Sequence, residues 1–203
     1  MQTKNIIFDL GGVLMNIDFN KTLDAYKTMG LHNIEEYFRI GHASSFFKEY
    51  EKGTISDEEF IGAVGKLVGV NNNKREITDA WNAMLLDFPE ERMNWLKGLK
   101  DKYRLFLFSN TNALHFLSFQ QSFQNVYGFP MDDLFEKAYY SHVAQIRKPD
   151  AAAYELVLNE NGLLPAETVF IDDALINVEA ANKISIRGIH LTPGVNVTSL
   201  KFS

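Results

Sequence analysis

Ile6-Ile7-Phe8-Asp9-Leu10-Gly11-Gly12-Val13-Leu14 decides the fold. A short apolar, β-branched run that meets a carboxylate and then two glycines reads as a buried strand ending in a tight turn, with Asp9 at its carboxyl end. Open α/β sheets bind their ligands at that rim. Two readings of Asp9 fit this stretch. It opens the turn between strand and loop, as Asp commonly does before Gly, or it is a stiffly held, reachable carboxylate suited to attack a phosphorus atom and to help hold a metal ion.

Downstream, the pattern from Ile17 to about Phe88 is helical. Residues 22–30, 34–38 and 46–53 carry apolar positions three to four apart with glycine after two of the runs. Ser56 and Glu59 form a capping-box signature ahead of Ile61, Val64 and Leu67, and Ile77, Trp81, Met84 and Leu85 mark a further helix. From Pro89 strands and helices alternate: a helix over 90–100, a strand over 104–108 running into Ser109-Asn110-Thr111-Asn112, a helix over 112–123, and an aromatic loop leading to a short strand near 137–140. Arg147-Lys148-Pro149-Asp150 precedes a helix through Leu158. A strand over 168–171 ends in Asp172-Asp173, and a helix over 177–184 and a strand over 188–191 close the pattern. The expectation is an α/β fold: a doubly wound, Rossmann-like, mainly parallel sheet with an α-helical cap inserted after the first strand. Residues 1–16 and 89–203 form the core and residues 17–88 the cap.

Composition narrows the function classes. With 46% hydrophobic and 23% charged residues, the 203-residue chain is an ordinary globular protein. A net charge of -6 without any Lys/Arg block gives no footprint for nucleic acid or an anionic membrane. The absence of cysteine removes disulfide and thiolate chemistry. Only a few apolar residues precede Asp9 and no run has the length of a membrane span, so a cytoplasmic protein is expected. Oligomeric state is not encoded in these features.

Four polar sites therefore follow strands or open helices: Asp9, Ser109, Lys148 and Asp172-Asp173. Each has a plain alternative. Ser109-Asn110 would cap the helix that follows, Lys148 would be a solvated charge, and the aspartate pair would sit on a helix N-terminus. For the pair the metal reading leads, because two adjacent carboxylates at a strand end repel each other unless a cation neutralises them. His115, His142 and His190 have no zinc-like spacing, and the aromatic residues of the cap read as its own core.

The ordered set Phe8-Asp9-Leu10-Gly11-Gly12, Phe108-Ser109-Asn110-Thr111, Arg147-Lys148-Pro149 and Phe170-Ile171-Asp172-Asp173 with Asn177 resembles the haloacid dehalogenase superfamily, mostly metal-dependent phosphatases. It looks most similar to bacterial sugar-phosphate phosphatases of the glucose-1-phosphate phosphatase type. The resemblance implies a Mg2+-dependent phosphatase acting on a small phosphorylated metabolite, a sugar phosphate in particular. It implies Asp9 as the nucleophile that becomes an aspartyl-phosphate, and Mg2+ held by Asp9, Asp173 and the carbonyl of Gly11, with Asp172 as a secondary ligand. Ser109 and the amide of Asn110 would bind phosphoryl oxygens, and Lys148 would offset charge.

At Gly11 the chain departs from the usual pattern, which places there the aspartate that protonates the leaving oxygen. That loss favours acidic leaving groups, such as those of anomeric sugar, acyl or aryl phosphates. It also disfavours a phosphomutase, and it is the one support for a rival reading, a non-catalytic phosphate-binding or scaffold protein. The carboxylate pair argues against a metal-free dehalogenase. Phosphonate hydrolysis would need a cap lysine at the site, and Lys27, Lys48, Lys52 and Lys66 carry no sign of pocket placement. Arg39, His42 and Lys48 are possible substrate contacts from the cap, or surface charges.

Overall fold

The computed structural model describes residues 2–32, 34–36, 46–68 and 73–202. Five strands, β1 (Asn5–Phe8), β2 (Arg104–Ser109), β3 (Lys137–Tyr140), β4 (Thr168–Asp172) and β5 (Arg187–His190), form one sheet in the order β3-β2-β1-β4-β5. Every neighbouring pair is parallel. Strand order reverses about β1, so the crevice between β1 and its neighbours is the switch point where such sheets bind ligands.

Period-two alternation builds the two faces. Ile6, Phe8, Leu105, Leu107, Val169 and Ile171 point to one side, where α5 (Glu90–Leu99) and α6 (Ala113–Tyr127) supply Met93, Leu96, Phe119 and Phe123. Ile7, Phe106, Phe108 and Phe170 point to the other, covered by Ala153, Tyr154 and Val157 of α8 (Ala151–Asn161) and Ala181 of α9 (Leu175–Lys183), while the short α7 (Ser141–Ala144) follows β3. Because both faces are covered, the central strands β1, β2 and β4 are near-continuous apolar runs. The expected doubly wound parallel architecture is the one observed.

Between β1 and α5 lie α1 (Phe19–Thr28), α2 (Phe46–Glu51), α3 (Asp57–Val68) and α4 (Lys74–Asn82). Their aromatic residues make a separate core of Tyr26, Phe47, Tyr50, Phe60 and Trp81, with Tyr50 and Phe60 stacked at 4.1 Å between ring centroids. The expected capping box opens α3: Glu59 N donates to Ser56 Oγ at 3.2 Å and Ser56 N to Glu59 Oε2 at 2.8 Å. The chain enters and leaves this block through two stretches that bond to each other, with Asn16 N to Asp87 O at 2.9 Å, Leu86 N to Asn16 O at 3.0 Å and Asp18 N to Met84 O at 2.9 Å. Arg39 and His42 lie outside the described residues. Among the described residues, no helix is long and apolar enough to cross a membrane.

Two boundaries differ from the sequence reading. Helix α6 runs on to Tyr127 and stops at Gly128, whose φ of +79° suits the glycine found there; the aromatic residues read as loop continue its buried face. Its N-cap is Asn112, whose Oδ1 accepts from His115 N at 3.0 Å, so Ser109-Asn110 does not cap it.

The helical block is tied to the sheet domain at α6. His115 Nε2 donates to Trp81 O at 3.1 Å, and Asn112 Nδ2 donates to His115 Nδ1 at 3.1 Å, so the neutral Nε2–H tautomer satisfies both bonds. The imidazole also stacks on Trp81 with centroids 4.8 Å apart. Burial pushes its pKa down to about 4, partly offset by the bond to Trp81. The unfolded chain protonates this side chain near its ordinary value of 6.5. Stability carried by neutral His115 is therefore fully present above about pH 6.5 and is lost as pH falls through 4, by about 3 kcal/mol in all. Comparing wild type with His115→Gln by denaturant unfolding between pH 7 and 4 should show the gap between them narrowing by about that amount; a gap independent of pH would contradict the assignment.

Candidate active site

The strand ends bring the predicted residues together. Asp9 follows β1 directly, and its amide still bonds across to Ile171 O at 2.8 Å, so the sheet itself holds the residue. Ser109 is the last residue of β2 and Asp172 the last of β4. Lys148 comes from the loop before α8, where Asn110 holds its backbone from both sides: Lys148 N donates to Asn110 Oδ1 at 3.0 Å and Asn110 Nδ2 to Lys148 O at 2.9 Å.

The Lys148 side chain is 1% exposed, which excludes the solvated-charge reading. Its Nζ donates to Asp9 Oδ1 at 2.6 Å, Asp172 Oδ2 at 2.7 Å and Phe108 O at 2.7 Å, so all three ammonium protons have acceptors. Burial pulls this ammonium down, but the two carboxylates more than offset it and hold its pKa above the ordinary value. Both oxygens of Asp172 are engaged. Oδ1 accepts from Ala174 N and Asn177 Nδ2, and Oδ2 from Lys148 and Asn177 Nδ2.

Oxygens of Asp9, Asp172 and Asp173 lie within 4.8 Å of one another, and one ammonium faces this trio. Burial, then Asp172 and Asp173, push Asp9 up to about 7 against the pull of Lys148. Asp173 is likewise raised, by burial first and by Asp172 second. Three carboxylates that together offer only oxygen and exceed the local positive charge fit a hard divalent cation such as Mg2+. Asp9 and Asp173 are the members with oxygens not already committed to protein donors.

The turn after Asp9 is shaped by the second glycine. Gly12 has φ +74°, and a Cβ there would stand 2.4 Å from Asp173 Oδ2. At Gly11 a Cβ would meet only the end of the Ile17 side chain, at 3.2 Å. A cavity of about 300 Å³ opens over the cluster. Asp9, Ser109, Asn110, Lys148 and Asp173 floor it, while Ile17, Phe19, Met84 and Leu85 form its apolar wall. Lys48 and Glu51 of α2 also line it, so one lysine that carried no sequence sign of pocket placement has it.

A search of family models matches residues 3–184 to the haloacid dehalogenase-like hydrolases. The chain belongs to this family. It is 29% identical over 182 residues to D-ribitol-5-phosphate phosphatase of Bacteroides thetaiotaomicron, covering 89% of this chain and 88% of that one. It is 29% identical to the sesquiterpene phosphatase astK of Aspergillus oryzae, over 93% and 90% of the two chains. A solved HAD family enzyme from Bacteroides thetaiotaomicron, in complex with magnesium and inorganic phosphate, superposes with a TM-score of 0.89 at 34% identity, over 96% of each chain. The family read from the motifs is thus the one found, while these relatives do not carry the narrower likeness to glucose-1-phosphate phosphatases.

In this hydrolase the sequence reading missed the side chains that orient the others. Asn177 had a place in the motif but no role, and the side-chain bonds of Asn110 to Lys148 left no trace in composition or spacing. An Asn at the start of the helix after a strand-end aspartate is the one available signal, since the first helical turn lies over that carboxylate. The two glycines should separate by substitution. Gly12→Ala should cost more than about 1 kcal/mol, since it strains φ and strikes a carboxylate, whereas Gly11→Ala displaces one flexible methyl and costs less. Urea unfolding of both variants checks this, and equal losses would contradict the geometry.

Proposed function

We propose that this hydrolase is a Mg2+-dependent phosphatase that cleaves a phosphate monoester of a small metabolite, a sugar or polyol phosphate. The observation that carries the reading is the buried bridge of Lys148 between Asp9 and Asp172 beside the exposed Asp173, at the switch point of the sheet. The relatives named as phosphatases, and the fold neighbour holding magnesium and phosphate, support it.

Asp9, Asp173 and the carbonyl of Gly11 would hold the ion, with Asp172 bound only at second hand because its oxygens are taken. Bound Mg2+ supplies charge screening between a carboxylate and the phosphoryl oxygens. Asp9 attacks phosphorus in line, and the ester oxygen leaves with the bonding pair, giving an aspartyl-phosphate that water cleaves to phosphate and free Asp9. Ser109 Oγ and the amide of Asn110 bind phosphoryl oxygens. Lys148, fixed by Asn110 and Asp172, keeps Asp9 oriented and faces the negative charge of the group in transfer. The helical block, residues 17–88, acts as a cap domain over residues 1–16 and 89–203 and excludes water from the cavity. The scaffold alternative rests on Gly11 alone and has no support from the rest of the site.

Purified protein should release phosphate from 4-nitrophenyl phosphate with Mg2+, and lose that activity with a chelator or in Asp9→Asn; metal-independent release or an active Asp9→Asn variant would overturn the reading. Gly11 leaves the departing oxygen without a proton donor at that position, so chemical-step rates should rise steeply with leaving-group acidity. Gly11→Asp, whose added Cβ meets only Ile17, should flatten that dependence, with gains on poor leaving groups of up to about 10²–10⁴-fold. A flat dependence in the wild type would remove the argument.

A further inference from the structure

We propose that Lys48 and Glu51 are the specificity-determining pair for the leaving group, and that they read hydroxyl groups on it; this rests on the phosphatase reading above. Both side chains line the cavity from α2. Three residues apart on one helix, they lie on the same face. Beyond the residues at the strand ends, the described lining is otherwise largely hydrocarbon and aromatic, with Ile17, Phe19, Met84 and Leu85 among it. A charged pair in such a wall marks the place where a polar group of the ligand must be met.

The state of each partner fits that task. Glu51 Oε2 is buried against Arg147 Nη2, its ion-pair partner at 2.8 Å, while among the described residues no group donates to Oε1. The carboxylate is thus balanced in charge while an acceptor site stays open, which a hydroxyl of the ligand would fill. Among the described residues the Lys48 ammonium forms no ion pair, which leaves its protons for an oxygen acceptor. An acceptor and a donor side by side match a pair of hydroxyls, one donating to Glu51 and the other accepting from Lys48.

Helix α2 is fixed firmly enough to act as a reader. Ser141 Oγ donates to Glu51 O at 2.7 Å, and Leu114 N donates to Tyr50 Oη at 3.2 Å. At Gly53, just past the helix, a Cβ would stand 2.1 Å from His142 O, so the chain there lies directly against the sheet domain. The apolar wall then packs against the C–H surface of a polyhydroxylated leaving group while its hydroxyls face α2.

The test compares kcat/KM for glucose 1-phosphate and ribitol 5-phosphate, which carry hydroxyls, with that for 4-nitrophenyl phosphate, which has none. In Lys48→Met and Glu51→Met the ratio of the better hydroxyl-bearing probe to the aryl probe should fall on the order of tenfold, mainly through KM, because the lost partner leaves a hydroxyl unpaired. A merely structural role would lower both substrates alike and leave the ratio unchanged, which would overturn the proposal. Glu51→Met also removes half of the pair with Arg147, so Lys48→Met alone decides if that variant does not fold. Wild-type activity on the aryl ester without activity on either hydroxyl-bearing probe overturns this inference only, whereas inactivity on all three overturns the phosphatase reading beneath it.

Discussion

Three carboxylates and one ammonium crowd the ends of β1 and β4, and the rest of the site follows from keeping them there. A buried ion pair gains from Coulomb attraction only when further hydrogen bonds satisfy what it leaves open. Here Phe108 O takes the third proton of Lys148, and Asn177 and the Ala174 amide take the remaining lone pairs of Asp172. Removing one member of such a pair costs about 3–5 kcal/mol, because the survivor is left charged and unpaired. The second carboxylate partner of Lys148, Asp9, keeps an uncommitted oxygen, and Asp173 stands beside it, raised by burial and by Asp172 more than Lys148 and His190 lower it. The cluster is therefore complete on the Asp172 side and open on the Asp9–Asp173 side, which gives the cavity floor its direction.

That asymmetry explains what could be read from the sequence. Asp9, Ser109 and Asp172 were legible because a strand end is a one-dimensional signal: an apolar run that stops at a polar residue. Parallel pairing then levels the ends, with Phe8 opposite both Leu107 and Ile171. Lys148 was legible only through its company, since its own neighbourhood in the chain looks like a surface loop. The side-chain work of Asn110 and Asn177 was not legible, because an amide that bonds to a residue 38 positions away leaves no periodic trace. The C-terminal half of α6 was misread for a related reason. Phe123 and Tyr127 lie one helical turn apart, yet the aromatic run that continues through Phe129 to Phe135 blurs the period, and only Gly128 marks the stop.

The helical block was legible as a block, through its capping box and its own aromatic core, but its attachment was not. The seam depends on buried polar contacts, His115 with Trp81 and Asn112 and Ser141 with Glu51 and Thr111, that join segments far apart in the chain. Buried hydrogen bonds of this kind define one docking geometry where apolar packing alone would tolerate several. The cavity exists because of that geometry, since its floor comes from the strand ends and Lys48 and Glu51 reach it from α2.

The two adjacent glycines answer to different halves of the molecule. Gly12 faces the carboxylate cluster, and its missing Cβ is what lets Asp173 close on the turn. Gly11 faces Ile17, in the stretch that leads into the helical block. A carboxylate at position 11 would have to share space with that hydrocarbon, and burial beside it would raise the pKa of the added group, as desolvation does for any carboxyl. A carboxyl so raised would be a proton donor, and Gly11 as it stands, without a side chain, offers the leaving oxygen none. An acidic leaving group lowers the need for a proton, and hydroxyls farther out give the enzyme something else to hold. A sugar phosphate esterified at its anomeric carbon would meet both conditions, so under the proposed function the turn and the α2 pair favour the same class of ester.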